Sequence, residues 1–230
     1  MPVLSIVIPA YNEERFIGTL LTQIKAVDLS PFGLTREIIV VDDCSKDRTA
    51  AIVEAEAGVE LLRMPQNGGK GKAVRAGIAR ATGDYLIIQD ADLEYDPNDY
   101  RPMIEALLSG KGTVVYGSRY MRSGRHANQS LAAYLGGRSL SLIALAFTGT
   151  WLTDTVTAYK LFRREELAAL PLETSGFELD HEITARMVAG GARIVEVPIS
   201  YAPRSKAEGK KIGLRDWFIG FRTFWRYRRG

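Results

Sequence analysis

The sequence predicts an α/β protein built on a mostly parallel sheet, and three observations predict it. Short runs of β-branched and aliphatic residues alternate with helical segments through the first half of the chain. These runs are continuously apolar, which is typical of strands covered on both faces. Polar residues follow several runs directly, where parallel sheets bind their ligands. A chain of 230 residues, of which 46% are hydrophobic, is long enough to bury such a core.

The predicted elements alternate as far as residue 119. Strands are predicted over residues 4–8, 37–41, 60–63, 85–89 and 113–117. Helices are predicted over residues 13–27, 47–57, 71–81 and 97–109. Beyond residue 119 the sequence predicts a long apolar helix over residues 131–152, a strand over 159–162, a helix over 180–189 and a strand over 193–197. An aromatic and basic helix closes the chain. One domain over residues 1–230 is expected.

Composition and charge exclude several classes of protein. The single cysteine, Cys44, cannot form an intramolecular disulfide, and no Cys/His cluster has zinc spacing. The N-terminal residues lack the basic leader of a secretory signal, and no run reaches the ~18 apolar residues of a spanning helix. We therefore expect a cytoplasmic protein with no integral membrane segment.

The end of the chain is strongly basic. From Tyr201 onward it carries nine basic and two acidic residues, although the net charge of the whole chain is only +3. This asymmetry predicts an anionic partner. Nucleic acid is not expected, because the aromatic residues of this segment lie in a helix-like apolar run and no nucleic-acid-binding motif is present.

Asp90 and Asp92 directly follow a predicted strand. Residues two apart at a strand end point the same way, so both carboxylates can reach one cation, and Glu94 can add a third ligand. Hard oxygen ligands favour Mg²⁺ or Mn²⁺, which bind through one or two carboxylates together with substrate phosphates. The alternative is a turn in which an aspartate caps the helix near Pro97.

Two other polar segments are predicted at the same edge of the sheet. Asp42 and Asp43 follow strand 37–41, where a carboxylate accepts from a base or a ribose, or else caps the next helix. The run Asn67–Lys72 opens a helix, and its glycines and Lys70 favour a pyrophosphate. A flexible loop with solvated lysines is the alternative. The glycine spacings of Walker and nicotinamide-binding loops are missing.

Basic loop residues beside the inferred crevice are candidates for phosphate contact, because arginine forks match phosphate oxygens. They are Arg119, Arg204 and Lys210. The two histidines, His126 and His181, lie in no catalytic pattern. A crevice rich in arginine and poor in histidine favours catalysis by positioning and electrostatics.

Six stretches in order resemble the family 2 glycosyltransferases of the GT-A fold, specifically the dolichol-phosphate mannose synthase-like branch. They are residues 6–13, 39–47, 67–77, 89–94, 116–120 and 196–201. The resemblance implies a Rossmann-like three-layer α/β/α fold, with a nucleotide-sugar-binding half over 1–120 and an acceptor-binding half over 121–230. Two departures matter. Residues 154–159 differ from the T-S-G-F that relatives often have, and the transmembrane helices of some relatives are missing, so a peripheral protein is expected.

The resemblance also implies roles for individual residues. Those expected to hold the nucleoside are Pro9, Tyr11, Glu13, Val41 and Asp43. Those expected to meet the diphosphate and the metal are Asp90, Ala91 and Asp92, with Glu94 as an additional metal ligand. Those expected at the donor and acceptor phosphates are Arg119, Arg204 and Lys210, with Arg138 matching a basic residue that meets the lipid phosphate.

The expected reaction is an inverting, metal-dependent transfer of a hexose from GDP-mannose or UDP-glucose to a polyprenyl phosphate, with Asp92 and Arg119 as catalytic residues. An acceptor phosphate already carries its negative charge and needs no strong base. Two alternatives remain. A glycan hydroxyl as acceptor requires a carboxylate base, for which the candidates are Asp154, Glu178 and Glu182. The second alternative is a non-catalytic module that binds a sugar nucleotide or a phospholipid.

Two segments predict peripheral contact with the cytoplasmic face of a membrane. Residues 140–152 can form an apolar groove for a polyprenyl tail, and residues 217–229 mix aromatic residues with arginines, a composition typical of membrane interfaces. The alternative is that the first segment packs as core and the second covers the sheet or forms an oligomer contact. The sequence does not predict the oligomeric state.

Overall fold

The computed structural model describes residues 1–121, 124–126, 129–203 and 214–228. Their strands form one seven-stranded sheet in the order β3-β2-β1-β4-β6-β5-β7. The strands are β1 (Val3–Ala10), β2 (Thr35–Asp42), β3 (Val59–Arg63), β4 (Tyr85–Ile88), β5 (Val114–Ser118), β6 (Lys160–Arg163) and β7 (Ile194–Pro198). Within this sheet β6 alone is antiparallel to its neighbours, β4 and β5. The predicted mostly parallel sheet is confirmed.

Helices cover both faces of the sheet. They are α1 (Ile17–Ala26), α2 (Thr49–Glu54), α3 (Lys70–Arg80), α4 (Tyr100–Leu108), α5 (Leu131–Thr148), α6 (Arg164–Ala168), α7 (Leu179–Ala189) and α8 (Leu214–Tyr227). On one face Ile6 of β1 packs in a cluster with residues of α1 and α4. On the other face Val7 packs with residues of α3 and α7. Successive strand residues point to opposite faces, so a strand buried on both sides is continuously apolar.

The parallel register brings several strand ends to one edge of the sheet. β1 pairs with β2 so that Ala10 lies opposite Asp42, and with β4 so that Val7 lies opposite Ile88. The residues that follow these three strands therefore start from the same edge. β5 ends there too, because β6 is antiparallel to both β4 and β5.

Some predicted elements differ in their bounds. The first helix begins at Ile17 instead of residue 13, because Glu13–Phe16 form a turn in which Phe16 N and Ile17 N both donate to Glu13 O at 3.0 Å. The long apolar helix ends at Thr148 instead of residue 152, because the next residue, Gly149, adopts a left-handed φ of 73°. The short helix α6 and the antiparallel direction of β6 were not predicted.

Helix α5 contradicts the expectation that no segment reaches the length of a membrane span. It has 18 residues, and among the described helices it alone is long and apolar enough by length and composition. Only 17% of it is buried. We infer no membrane span from this single helix.

Gly77 places α3 directly against β1, and this contact generates a stability prediction. A Cβ added at Gly77 would overlap Val7 Cγ1 and lie 3.1 Å from Val41 Cγ2. The substitution Gly77→Ala should lower the free energy of unfolding by about 1–3 kcal/mol, because α3 must move away from the sheet. Urea unfolding measures this difference.

Gly136→Ala in α5 is the matched control. The nearest atom to its added Cβ would be 3.9 Å away, an ordinary contact. We expect its free energy of unfolding to stay the same or to rise by up to about 1 kcal/mol. Equal stabilities of the two variants would contradict the close packing at Gly77.

Candidate active site

A buried glutamine fixes the turn that carries Asp90 and Asp92. Gln89 Nε2 donates to Asp90 O at 2.9 Å, and Gln89 Oε1 accepts from Tyr100 OH at 2.7 Å and Tyr159 OH at 2.5 Å. The chain then turns away at residue 93, whose φ of 59° lies in the left-handed region. Both aspartate side chains are partly exposed at the edge of the sheet.

A different aspartate caps the helix that follows. Asp96 Oδ1 accepts from Asn98 N at 2.9 Å, at the start of the 3₁₀ turn Pro97–Asp99 that leads into α4. Asp92 Oδ1 accepts from Glu94 N at 3.1 Å, within its own turn. An aspartate therefore caps the helix near Pro97, as the alternative held, and this aspartate is Asp96 instead of Asp90 or Asp92.

The third predicted metal ligand, Glu94, is not brought to the two aspartates. Glu94 Oε2 accepts from Tyr201 OH at 2.9 Å. In the part of the chain that the structure describes, no group of three His, Cys, Asp or Glu side chains could hold a metal ion. The set of three carboxylates is thus not assembled. Two partly exposed carboxylates still fit Mg²⁺ or Mn²⁺, which take further ligands from phosphate oxygens and water.

Lys70 lies between two carboxylates. Its Nζ is 2.8 Å from Asp90 Oδ1 and 3.3 Å from Asp180 Oδ2. Asp180 Oδ1 is in turn 3.2 Å from Nζ of the fully buried Lys160. Burial acts to lower the pKa of Lys70, but Asp180 and Asp90 outweigh it and raise that pKa above its ordinary value. The alternative in which Lys70 is a solvated lysine is wrong, and a positive charge lies beside Asp90.

The backbone amides of the glycine-rich loop are occupied by protein acceptors. Gly68 N and Gly69 N donate to the Asp43 carboxylate at 2.7 and 2.8 Å. Gly71 N donates to Ser175 O at 2.7 Å. A Cβ at Gly69 would lie 2.5 Å from Ser175 O, so the glycine permits this close approach. These amides are therefore satisfied by protein acceptors, and contact of the loop and of Lys70 with a pyrophosphate stays a prediction.

The residues expected to hold a nucleoside share the ends of β1 and β2. Pro9 lies opposite Val41 in the parallel register. Tyr11 and Glu13 follow β1 and are half-buried, and Asp43 is buried directly after β2. Contact of these five residues with a nucleoside stays a prediction.

Arg119 and Asp154 form a buried, bidentate ion pair. Arg119 Nε donates to Asp154 Oδ2 at 2.6 Å, and Arg119 Nη2 donates to Asp154 Oδ1 at 2.7 Å. Burial acts to lower the pKa of Arg119, but Asp154 raises it well above its ordinary value. Glu196 fixes the loop that carries the aspartate, accepting from Thr153 N at 2.7 Å and Asp154 N at 2.9 Å.

Arg138 reaches the same region from α5. Its Nη1 donates to Thr153 O at 2.7 Å. The guanidinium groups of Arg138 and Arg119 lie 5.8 and 5.4 Å from the ring centroid of Tyr120, so both arginines contact one ring. Arg204 and Lys210, the other two predicted phosphate contacts, lie outside the described residues.

All three candidate bases accept hydrogen bonds from protein groups, and Glu178 Oε1 accepts from Gly176 N at 3.1 Å. Both oxygens of Asp154 accept from Arg119. Glu182 is fully buried and accepts from Thr174 Oγ1 at 2.6 Å and from Arg186 Nε at 2.8 Å. Burial acts to raise the pKa of Glu182, but these hydrogen bonds bring it below its ordinary value. The third candidate, Glu178, is half-buried.

Neither histidine is placed as a base. His181 is buried against Phe224 of α8, and burial lowers its pKa to about 4, so its ring is uncharged at neutral pH. His126 Nε2 lies 2.8 Å from Arg119 O. The sequence did not predict a role for Asp180 and Lys160. The one feature of the sequence that could have indicated this pair was Lys160, a lysine in an apolar strand.

The seven-stranded, mostly parallel sheet with helices on both faces has the GT-A fold. The structure of glucosyl-3-phosphoglycerate synthase from Mycobacterium tuberculosis, in complex with Mn²⁺, UDP-glucose and phosphoglyceric acid, matches this fold with a TM-score of 0.75. The two sequences are 20% identical, and the match covers 99% of this chain and 80% of that one. Residues 5–170 match the family model of glycosyl transferase family 2, and the chain belongs to this family.

Two curated relatives resemble most of the chain. Dolichol-phosphate mannosyltransferase of Pyrococcus furiosus is 32% identical over 216 residues, which are 91% of this chain and 59% of that protein. Undecaprenyl-phosphate mannosyltransferase of Micrococcus luteus is 30% identical over 223 residues, 93% of this chain and 88% of that protein. The chain therefore spans less than two thirds of the first relative and most of the second.

The contacts of Glu182 predict a stability that depends on pH. Glu182→Gln should lower the free energy of unfolding at pH 7 by about 2 kcal/mol, because charge-assisted hydrogen bonds from Thr174 and Arg186 become weaker. The pKa of Glu182 is lower in the folded state than its ordinary value of 4.5. Its contribution is therefore complete above pH 4.5 and is lost as the pH falls through the folded-state pKa.

Urea unfolding across this pH range measures the difference between the variant and the wild type. The difference should stay constant near neutral pH and shrink below pH 4.5. Glu178→Gln is the matched control and should change the free energy of unfolding by less than about 0.5 kcal/mol. A Glu182→Gln variant of unchanged stability that loses turnover would instead identify Glu182 as a base.

Proposed function

We propose that this protein transfers a hexose from a nucleotide sugar to a polyprenyl phosphate at a membrane surface, with inversion at the anomeric carbon. One observation carries the proposal. The acidic turn Asp90–Asp92 and Arg119 start from strand ends at one edge of the sheet, and Arg138 of α5 contacts the same Tyr120 ring as Arg119. The names of the two mannosyltransferase relatives support a polyprenyl phosphate as the acceptor.

The donor half of the site is assigned to Asp90 and Asp92. These carboxylates would hold Mg²⁺ or Mn²⁺, which when bound offsets charge on the leaving nucleoside diphosphate. Lys70 adds a positive charge beside Asp90. Asp92 is the ligand we assign to catalysis, because its carboxylate is partly exposed at the edge of the sheet. The Mn²⁺ in the structural neighbour supports a divalent cation.

The acceptor half is assigned to Arg119 and Arg138. Asp154 takes up Nε and Nη2 of Arg119, which fixes the direction of the guanidinium and leaves Nη1 for an acceptor oxygen. Arg138 contributes a second cation, and its guanidinium lies near the same Tyr120 ring that Arg119 contacts. Fixed positive charges of this kind orient an anionic nucleophile and stabilise the charge that moves during transfer.

The contacts of the candidate bases favour a phosphate over a hydroxyl as the nucleophile. A hydroxyl acceptor needs a base, and Asp154 and Glu182 are both bound by arginines, while Glu178 accepts from Gly176 N. A phosphate is already an anion and needs positioning alone. The relatives' names favour mannose as the sugar, and GDP-mannose and UDP-glucose are the donors to compare.

Turnover tests the proposal directly. Wild-type protein with Mn²⁺ or Mg²⁺, a polyprenyl phosphate and the correct donor should release nucleoside diphosphate in a lipid-dependent reaction. Asp92→Asn should lower the rate by at least about 100-fold, and so should chelation of the metal. Asp96→Asn is the matched control, since asparagine also caps helices, and its rate should stay within about twofold of wild type. Release that does not depend on the lipid, or full activity of Asp92→Asn, would reject the proposal.

Membrane contact is proposed on the basis of an exposed apolar face shared by α5 and α8. Its residues are Leu131, Leu135, Leu142, Phe218, Phe221 and Trp225, each of which is exposed. The two helices are joined by an edge-to-face contact of Phe147 with Phe221 and by a hydrogen bond of 2.8 Å from Trp217 Nε1 to Ser139 Oγ. The face is therefore held by packing rather than by a single helix.

Helix α8 has the pattern of a helix that lies in a membrane interface. Phe218, Phe221 and Trp225 follow the spacing of one helix face and are exposed, whereas Phe224 and Tyr227 are buried on the other side. The exposed Arg222 adds a positive charge suited to anionic lipids. We place this apolar face on the cytoplasmic side of the membrane.

Part of the segment expected to form a lipid groove is core. Leu140, Ala144 and Leu152 are buried inside the protein, as the alternative interpretation held, and Leu142 and Trp151 are exposed. A polyprenyl tail would therefore lie along the exposed side of α5. Arg138, on the same helix, would then meet the lipid phosphate.

Liposome binding tests the apolar face. The triple variant Phe218→Ser, Phe221→Ser, Trp225→Ser should bind vesicles of anionic lipid at least about tenfold more weakly than wild type, because the helix loses its apolar contact with the bilayer. Turnover of a short, water-soluble polyprenyl phosphate should be retained. Leu108→Ser changes an exposed leucine of α4, outside this face, and should bind like wild type. Equal binding by the triple variant would reject the membrane assignment.

A further inference from the structure

Four charged side chains of alternating sign form a row that leads from the interior to Asp90. The successive N–O distances are 3.2 Å from Lys160 to Asp180, 3.3 Å from Asp180 to Lys70, and 2.8 Å from Lys70 to Asp90. The exposed fractions of these side chains are 0%, 8%, 11% and 23% in the same order. Each residue comes from a different element, respectively β6, α7, α3 and the turn after β4.

Asp180 is the centre of this row because it binds both lysines. Burial acts to raise the pKa of Asp180, but Lys160 and Lys70 outweigh it and lower that pKa, so its carboxylate is ionised. Lys160 also donates to Thr157 O, which fixes its ammonium from the other side. A buried ion that loses its partner is strongly destabilised, so this geometry is held firmly.

The position of Lys70 has a consequence for Asp90. Its ammonium contacts Oδ1 of Asp90, at the edge of the sheet where Asp92 is also partly exposed. The ring of Phe177 lies over the same ammonium, with 5.7 Å between Nζ and the ring centroid. A fixed positive charge at this point repels a bare cation and attracts a diphosphate.

We propose that Asp180 is a positioning residue that holds the Lys70 ammonium against Asp90 and thereby sets the charge of the donor site. Lys70 lowers the affinity of the site for a divalent cation alone and raises its affinity for a diphosphate. This inference rests on the proposed function, since the diphosphate is that of the sugar donor. Binding of the cation is then favoured when it arrives with the donor.

Two binding measurements on the full chain test this proposal without any transfer reaction. The first titrates Mn²⁺ alone and follows free Mn²⁺ by electron paramagnetic resonance. The second titrates inorganic pyrophosphate, which carries the diphosphate without a base or a sugar. For Lys70→Met we expect about tenfold tighter Mn²⁺ binding and about tenfold weaker pyrophosphate binding, as for the loss of one nearby charge.

Asp180→Asn should shift Mn²⁺ binding in the opposite direction. It removes a negative charge close to the site, so Mn²⁺ should bind about fivefold more weakly. The double variant Lys70→Met, Asp180→Asn should return towards wild type. Damage to the structure would weaken binding in all three variants, so opposite signs separate the electrostatic role from a structural one.

Lys72→Met is the matched control, because Lys72 is exposed on the same helix and outside the row. Its Mn²⁺ affinity should stay within about twofold of wild type. If Asp180→Asn does not fold, tighter Mn²⁺ binding by Lys70→Met still decides the question. Weaker or unchanged Mn²⁺ binding by Lys70→Met would overturn this inference alone. A wild-type protein that binds neither Mn²⁺ nor pyrophosphate would overturn the proposed donor site as well.

Discussion

Parallel pairing of β1 with β2 and β4 is the constraint on which the site depends. It aligns Ala10 with Asp42, and beyond β4 it continues in a hydrogen bond of 3.0 Å from Gln89 N to Val7 O. The antiparallel strand β6 between β4 and β5 gives those two strands the same direction, so Arg119 leaves the sheet at the edge where Asp90 does. Residues far apart in sequence thus meet because their strands end together.

Buried ion pairs then fix the charges at this edge. Asp154 holds Arg119, and Asp180 holds Lys70, in both cases from inside the protein. Burying such pairs is costly, and their contribution to stability alone is a weak reason for their presence. These ion pairs instead fix the orientation of the two cations, Arg119 and Lys70, at the edge of the sheet. An enzyme that moves a glycosyl group onto an anion depends on such preorganised charge more than on a proton acceptor.

The sequence was sufficient for features with a local signal. Continuous apolar runs predicted the strands, and the aspartates directly after residues 85–89 predicted the acidic turn. Features that depend on distant partners were not predictable in this way. The direction of β6 has no local pattern, and Lys160 meets Asp180 only in the folded chain. The acceptor of two amides in the glycine-rich loop was not predictable for the same reason, since Ser175 O, which accepts from Gly71 N and Lys72 N, lies about a hundred residues later.

The central claim is that the acidic turn after β4 holds the donor diphosphate through a divalent cation. A crystal structure of the protein with Mn²⁺ and GDP or UDP tests it most directly. We predict an anomalous difference peak for Mn²⁺ within ligand distance of the Asp90 and Asp92 carboxylates, with the diphosphate on the same side as Lys70 and Arg119. A nucleotide bound without Mn²⁺ at these aspartates, or a diphosphate bound at a different edge of the sheet, would contradict the claim.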